Sequence, residues 1–171
     1  MTGSADRAAL LAAGTDLLSC EARYLDERDW DAWLDLYLED CEFWAPAWKT
    51  DDTLTADFNR EISVFYFASR AALEDRVWRI RSGEAPSINP LPRTTHVIAN
   101  TVLEDGATGE AMTLHSGWTC HVYFIRNRTQ HVFFGRRTDE LVLRDGAWRI
   151  RRKKVVLMND YVPAMIDVFC V

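Results

Sequence analysis

PRTTHVIANT, residues 92–101, is where the chain changes period. Before it, apolar residues recur at helical spacing. From Arg93 onward they alternate, and Thr94, His96, Ile98 and Asn100 fall on one side of an extended run. Four strands are expected on this pattern, near 93–104, 109–126, 130–144 and 147–158, with a last short one near 165–170. The turn signals EDGATG, RNRTQ and RDG separate them. RDGAWRI reads as a tight hairpin, because Asp-Gly supplies the positive φ that a type I′ turn requires. The remaining glycines of this half mark turns or close contacts within strands.

The first half reads helical. Leu10, Leu11, Leu17, Leu18 and Leu25 carry a helix over 6–26, with Ser4 or Asp6 able to cap its start. A second short helix follows in WDAWLDLYLED, capped by Asp29, with Trp30, Trp33, Leu34 and Tyr37 on one face. It feeds a strand at CEFWAP. AWKTDDTLTADFNRE reads as a long loop and ISVFYFA as β-like. SRAALEDRVWRIRS reads as a helix with Leu73, Val77 and Ile80 as its stripe and Ser69 as its cap. SGEAPSINPLP, with three prolines and a glycine, reads as an exposed loop. Long antiparallel strands must twist and curl. The expected architecture is therefore α+β, a curled antiparallel sheet with the N-terminal helices packed on its concave face, in one domain spanning residues 1–171.

Composition bounds the function. With 48% apolar and 27% charged residues, the chain is an ordinary soluble globular one. No run reaches the roughly 18–20 apolar residues of a membrane helix, and the N-terminus makes a poor signal peptide. Cys20, Cys41, Cys120 and Cys170 are scattered, as free thiols of a reducing cytoplasm would be. Net charge is −6, yet residues 136–154 hold eight basic side chains against three acids, a balance of +5 that leaves −11 elsewhere. Such a dipolar chain suits a charged protein partner. RRKK has no nucleic-acid signature beside it, and a nucleic-acid role is not expected.

The chemistry-bearing groups are sparse. His115 and His121 share a strand face but lie about 20 Å apart in extended chain. No HxH, HExxH or zinc or Rieske spacing occurs. GxSxG and the glycine-rich phosphate loops are also missing. Acid–base work by His96, Tyr24, Tyr37 and Asp31 in an apolar interior remains open, with His96, Tyr24 and Asp31 as the trio of a dehydratase or isomerase. Against it stand aromatics able to fill that interior: Trp30, Trp33, Trp44, Phe65, Trp118 and Phe134. A third reading is a binding module for a small aromatic acid.

In order, EARYLDERDWDAWLDLYLEDCEFWAP, YFASRAALEDRVWRIRSG, PRTTHVIANT and FGRRTDELVLRDGAWRIRRKKVVLMNDYV resemble the small (β) subunit of aromatic-ring-hydroxylating dioxygenases. The ending YVPAMIDVFCV is most similar to the branch acting on benzoate, toluate, anthranilate or 2-halobenzoate. The resemblance implies an NTF2-like (cystatin-like) cone and a non-catalytic, structural chain without a cofactor of its own. It implies a large α subunit carrying a Rieske [2Fe–2S] cluster and a mononuclear Fe(II), an α3β3 hexamer on a β3 trimer, and electrons from NADH through a reductase. The product would be a cis-dihydrodiol of an aromatic carboxylate, or its decarboxylated or deaminated derivative. Arg79, Arg93, His96, Asn100, Arg149, Arg151 and Lys153 are then the interface candidates. On strict alternation Arg149, Arg151 and Lys153 face away from Ile150, Arg152 and Lys154. AMIDVFCV is expected to pair as a strand.

Overall fold

The computed structural model describes residues 4–84, 86, 88–159, 162 and 166–171. Helix α1 spans Ser4–Glu27 and α2 spans Trp30–Asp35. Strand β1 (Tyr37–Pro46) and strand β2 (Ser63–Phe67) precede helix α3 (Arg70–Ser82). Strands β3 (Arg93–Leu103), β4 (Ala111–Phe124), β5 (Thr129–Arg144) and β6 (Ala147–Leu157) complete the sheet.

The long helices and hairpins follow from local chemistry. Ser69 caps α3 by accepting from the Ala72 amide, and Gly83 closes it in the left-handed region. Asp29 caps α2 in the same way, accepting from Ala32. Asp145 and Gly146 both take positive φ, 53° and 78°, and join Arg144 to Ala147 in a two-residue turn. Helix α2 ends earlier than its apolar spacing suggests. Residues 37–40 are already strand, and Tyr37 reaches the core from β1.

The sheet order is β2-β1-β6-β5-β4-β3. This corrects the expected curled antiparallel cone. The sheet is mixed, because β1 runs parallel to β6 through Glu42↔Arg152, Phe43↔Lys153 and Trp44↔Lys154. It is also open, with β2 and β3 as separate edges, and it does not curl shut. The reason lies in chain connection. Turn signals report hairpins between sequence neighbours. A parallel pair needs a long crossover, and here more than half the chain separates β1 from β6.

Two further corrections concern the C-terminal half. Residues Val168–Cys170 form a short 3-10 helix rather than a strand, capped by Asp167, and Val168 to Val171 are buried. Residue 165, where that strand was expected to start, lies outside the described residues. In β6 the alternation breaks. Glu140 pairs with Arg152 but Leu141 pairs with Ile150, so Arg151 is an extra, bulged residue. Ile150 and Lys153 therefore both face the core, and both are fully buried.

Helix α1 lies across one face of the sheet. Arg7 donates to the Leu103 carbonyl at 2.6 Å, and Glu21 and Asp26 bond to β5 and β3 respectively. The core sits between α1 and α2 and this face, centred on Trp33, Tyr37, Phe43, Leu114, Phe133 and Ile150. Trp33 meets Trp30 and Tyr37 edge-on at 6.4 and 5.1 Å, a geometry that adds to plain area burial.

Candidate functional site

The most unusual feature of the interior is a group of charges. Glu21 of α1 accepts from Tyr37 Oη at 2.5 Å, Arg137 Nη2 at 2.6 Å and Lys153 Nζ at 2.8 Å. Arg137 also clamps Asp139 in a two-pronged contact, Nε to Oδ2 at 2.7 Å and Nη2 to Oδ1 at 2.6 Å. Lys153 donates to the Val171 carbonyl at 3.2 Å and lies 4.4 Å from the Phe43 ring centre. Glu21, Asp139 and Lys153 are completely buried and Arg137 nearly so. Two acids balance two bases, which is the condition for keeping charges in a dry core.

Electrostatics set the state of this group. Burial alone would raise the Glu21 carboxyl, but the charges of Arg137 and Lys153 and their hydrogen bonds hold it well below the usual carboxylate range. The two ends of the pair differ. Glu21 gains from both cations, whereas Lys153 is pushed down to about 8 by burial, because Arg137 opposes part of the help from Glu21. Both stay ionised at neutral pH. Burial and the neighbouring Glu21 raise the Tyr37 phenol, so it remains a donor.

Strand alternation and helical spacing hold the signal that could have found these groups. Arg137 and Asp139 share a strand side with Phe133 and Leu141, and Glu21 sits at helical spacing between Leu17, Leu18 and Leu25. The pattern names the positions as inward. The residue types, read one at a time, suggest the opposite.

His96 has a different partner from any named on sequence grounds. Its Nδ1 lies 2.6 Å from Asp26 Oδ1, and its amide donates to Asp26 Oδ2 at 2.9 Å. Thr94 donates its hydroxyl to the same carboxylate at 2.8 Å. Burial works against the Asp26 carboxylate, but these bonds outweigh it and lower its pKa. The His96 ring is buried and its Nε2 has no partner among the described residues. Asp31 is elsewhere, at the surface in an ion pair with Arg81 at 2.8 Å. Tyr24 packs partly buried under Arg23. The structure does not gather His96, Tyr24 and Asp31 into one site.

The remaining interface candidates are dispersed. Arg79 is exposed on α3, Arg93 at the start of β3, and Arg151 at the β6 bulge. Arg149 is half-buried, and Lys153 belongs to the interior charge group. Asn100 is exposed with φ 55°, at an irregularity in the β3–β4 pairing between Ala99 and Val102. Among the aromatics, Trp30, Trp33 and Trp118 are buried, while Phe134 is exposed and Trp44 lies on the sheet face away from α1, bonded to Ser63.

Among the described residues, no three His, Cys, Asp or Glu side chains are grouped to hold a metal ion. Burial raises the thiols of Cys41 and Cys120 and pushes that of Cys170 up to about 12, away from the thiolate a metal requires. These residues do not fit a Rieske cluster or a mononuclear iron. No described helix is long and apolar enough to cross a membrane.

Residues 20–164 match the profile of the Ring hydroxylating beta subunit family. The chain belongs to this family. It is 40% identical over 154 residues to the toluate 1,2-dioxygenase subunit beta of Pseudomonas putida, covering 90% of this chain and 93% of that one. It is 38% identical over 160 residues to the anthranilate 1,2-dioxygenase small subunit of Acinetobacter baylyi, covering 92% and 94%. Among solved structures, it resembles the beta subunit of the benzoate 1,2-dioxygenase of Burkholderia mallei, with a TM-score of 0.76 and 33% identity over 100% of this chain and 99% of that one. A ring-hydroxylating beta subunit is a component of an oxygenase complex. The interior charge group and the Asp26–His96 pair are then parts of how that component is built.

Proposed function

We propose that the chain is the structural small subunit of an aromatic-ring-hydroxylating dioxygenase acting on a benzoate-like aromatic carboxylate. One observation carries this reading: the likeness to subunits of toluate and anthranilate dioxygenases runs through almost the whole of both chains. The large subunit supplies the Rieske [2Fe–2S] cluster and the mononuclear Fe(II), and an NADH-dependent reductase supplies electrons. This chain, as one domain, contributes a rigid base to an α3β3 assembly in the cytoplasm. The lack of a grouped ligand set among the described residues supports placing all redox chemistry on the partner.

Acid–base chemistry by this chain alone is the weaker reading. Asp31 faces solvent beside Arg81, and His96 is enclosed by β3 and α1. The test is native mass and iron content of the tagged chain, co-expressed with a benzoate-type large subunit. The expected result is a heteromer in which every iron equivalent follows the large subunit on dissociation. Iron retained by this chain after separation, or failure of any large subunit to co-purify, would overturn the proposal.

A further inference from the structure

The loop between β1 and β2 folds over the sheet face away from α1 and turns part of it into a groove. Trp48 donates its indole N–H to the Leu157 carbonyl at 2.7 Å, and a bridge from Trp48 to Leu54 fixes Leu54 above the strands. Thr55 pins the same turn, donating its amide to the Ala47 carbonyl at 2.9 Å. Phe58 stacks on Tyr66 with ring centres 4.1 Å apart, so this end of the face is covered. Beside Leu54 an opening of about 640 Å³ remains, walled by Leu54, Val102 and Val156 and edged by Arg136 and Lys154. That lies within the roughly 300–1,000 Å³ of small-ligand pockets. Gly117 lines it without a side chain, and a Cβ there would meet nothing closer than the Ala99 carbonyl oxygen at 3.7 Å.

The charges of the groove are one-sided. Strand register sets Arg136 opposite Val156 and Thr138 opposite Lys154. The two cations are therefore diagonal neighbours on one face, about 7–8 Å apart and within reach of a shared partner. Among the described residues neither forms an ion pair, and Lys154 rests 4.9 Å from the Trp44 ring centre. Both are half-buried. The nearby acids are already engaged: Glu104 meets His115 at 3.2 Å, and Glu42 and Glu140 both bind Arg152, at 2.6 and 3.0 Å. A bare inorganic anion would satisfy the cations and leave the three apolar walls in water. A neutral ring would cover the walls and leave two charges desolvated without a partner. A carboxylate on a flat apolar body meets both conditions, because a guanidinium matches a carboxylate in a planar two-pronged contact.

We propose that this groove binds a small aromatic carboxylate, its carboxylate on Arg136 with Lys154 beside it and its ring against Leu54, Val102 and Val156 above Gly117. The occupant must fit between the Leu54 turn and β3, which suits a free molecule better than the broad surface of another chain. The buried cations Arg137 and Lys153 bond to Glu21 on the opposite face and take no part. The ligand class follows from the groove itself, so the inference goes beyond the functional reading and stands or falls separately from it.

The experiment titrates benzoate by isothermal calorimetry into the full chain and into its heteromer with a benzoate-type large subunit. The chain is expected to show saturable binding. Benzamide keeps the ring and loses the charge, and should bind about tenfold or more weakly. Acetate loses the ring and should weaken by about the same factor. Arg136→Gln should weaken benzoate binding by about tenfold or more. Gly117→Leu fills the floor of the groove and should abolish binding, while circular dichroism and thermal melts stay close to those of the parent. If one variant does not fold, the other and the benzamide comparison still decide. In the heteromer, Arg136→Gln is expected to lower the number of benzoates bound at saturation. The inference is overturned if millimolar benzoate does not bind the chain, if benzamide or acetate binds as well as benzoate, or if a folded variant binds like the parent. Equal stoichiometry in parent and variant heteromers would place another chain over the groove and overturn it too. If no large subunit joins the unsubstituted chain, the functional reading fails, and titration of the chain still judges this one.

Discussion

Replacing Lys153 with methionine tests the interior charge group most directly. The side chain is completely buried, so the substitution changes no surface charge. Methionine keeps the length of the stem and its packing against Phe43. It removes the bonds to Glu21 and to the Val171 carbonyl, and it leaves Glu21, Asp139 and Arg137 with a net charge of −1 in the core. Breaking a buried pair by deleting one partner costs roughly 3–5 kcal/mol, because the other charge stays uncompensated. For a chain of this length that corresponds to a fall in Tm of about 6–20 °C. The double variant Glu21→Gln/Lys153→Met returns the group to neutrality, with Arg137 and Asp139 still paired. It is expected to be more stable than the Lys153→Met single variant, a non-additive outcome that a double-mutant cycle reads directly. Arg152→Met, at an exposed pair, is the control and should cost no more than about 1 kcal/mol. Urea unfolding of the parent, both single variants of the pair (Lys153→Met and Glu21→Gln), the double variant and the Arg152→Met control, followed by tryptophan fluorescence at one fixed protein concentration, supplies all five values. A Lys153→Met variant within about 1 kcal/mol of the parent, or strict additivity of the two changes, would refute the reasoning.

The pH profile and a glycine supply two further expectations. Glu21 has a native pKa below its ordinary 4.5, so its stabilisation is complete above that value and is lost as pH falls through the native one. Thermal melts from neutral pH downward should show Tm declining in the acid range, with a shallower decline for Glu21→Gln from a lower starting point. An equal slope for both would remove Glu21 from the account. Gly135 lies where β5 meets β6, and a Cβ there would sit 1.9 Å from the Val156 carbonyl oxygen. Gly135→Ala should cost about 3 kcal/mol or more through forced separation of the strands. Gly109→Ala meets nothing within 4 Å and should be near neutral in the same melt.

Much of the fold is local enough to be read along the chain. The period change at Arg93, the Ser69 cap and the Asp145–Gly146 turn depend on residues within a few positions of one another, and the structure places all three as that chemistry requires. The family, too, is carried by linear motifs. Other features have no local cause. Whether residues 37–40 extend α2 or begin β1 is decided by pairing with β6, more than a hundred residues away. The same contact makes the sheet mixed rather than antiparallel.

The candidate residues divide along the same line. His96 is singled out by its place in an alternating run, but its partner Asp26 comes from α1, and nothing in the spacing of either pairs them. Strict alternation puts Arg151 and Lys153 on the side opposite to Ile150, Arg152 and Lys154. A single bulge at Arg151 instead sends Lys153 into the core and leaves Arg152 and Lys154 on the outer face. By itself the sequence determined the helices, the hairpin strands, the caps and the family, because each is written in neighbouring residues. Only the tertiary structure decided the mixed open sheet and the burial of Glu21, Arg137, Asp139 and Lys153. Those depend on which distant segments meet, and a charge becomes core or surface only when its partner arrives.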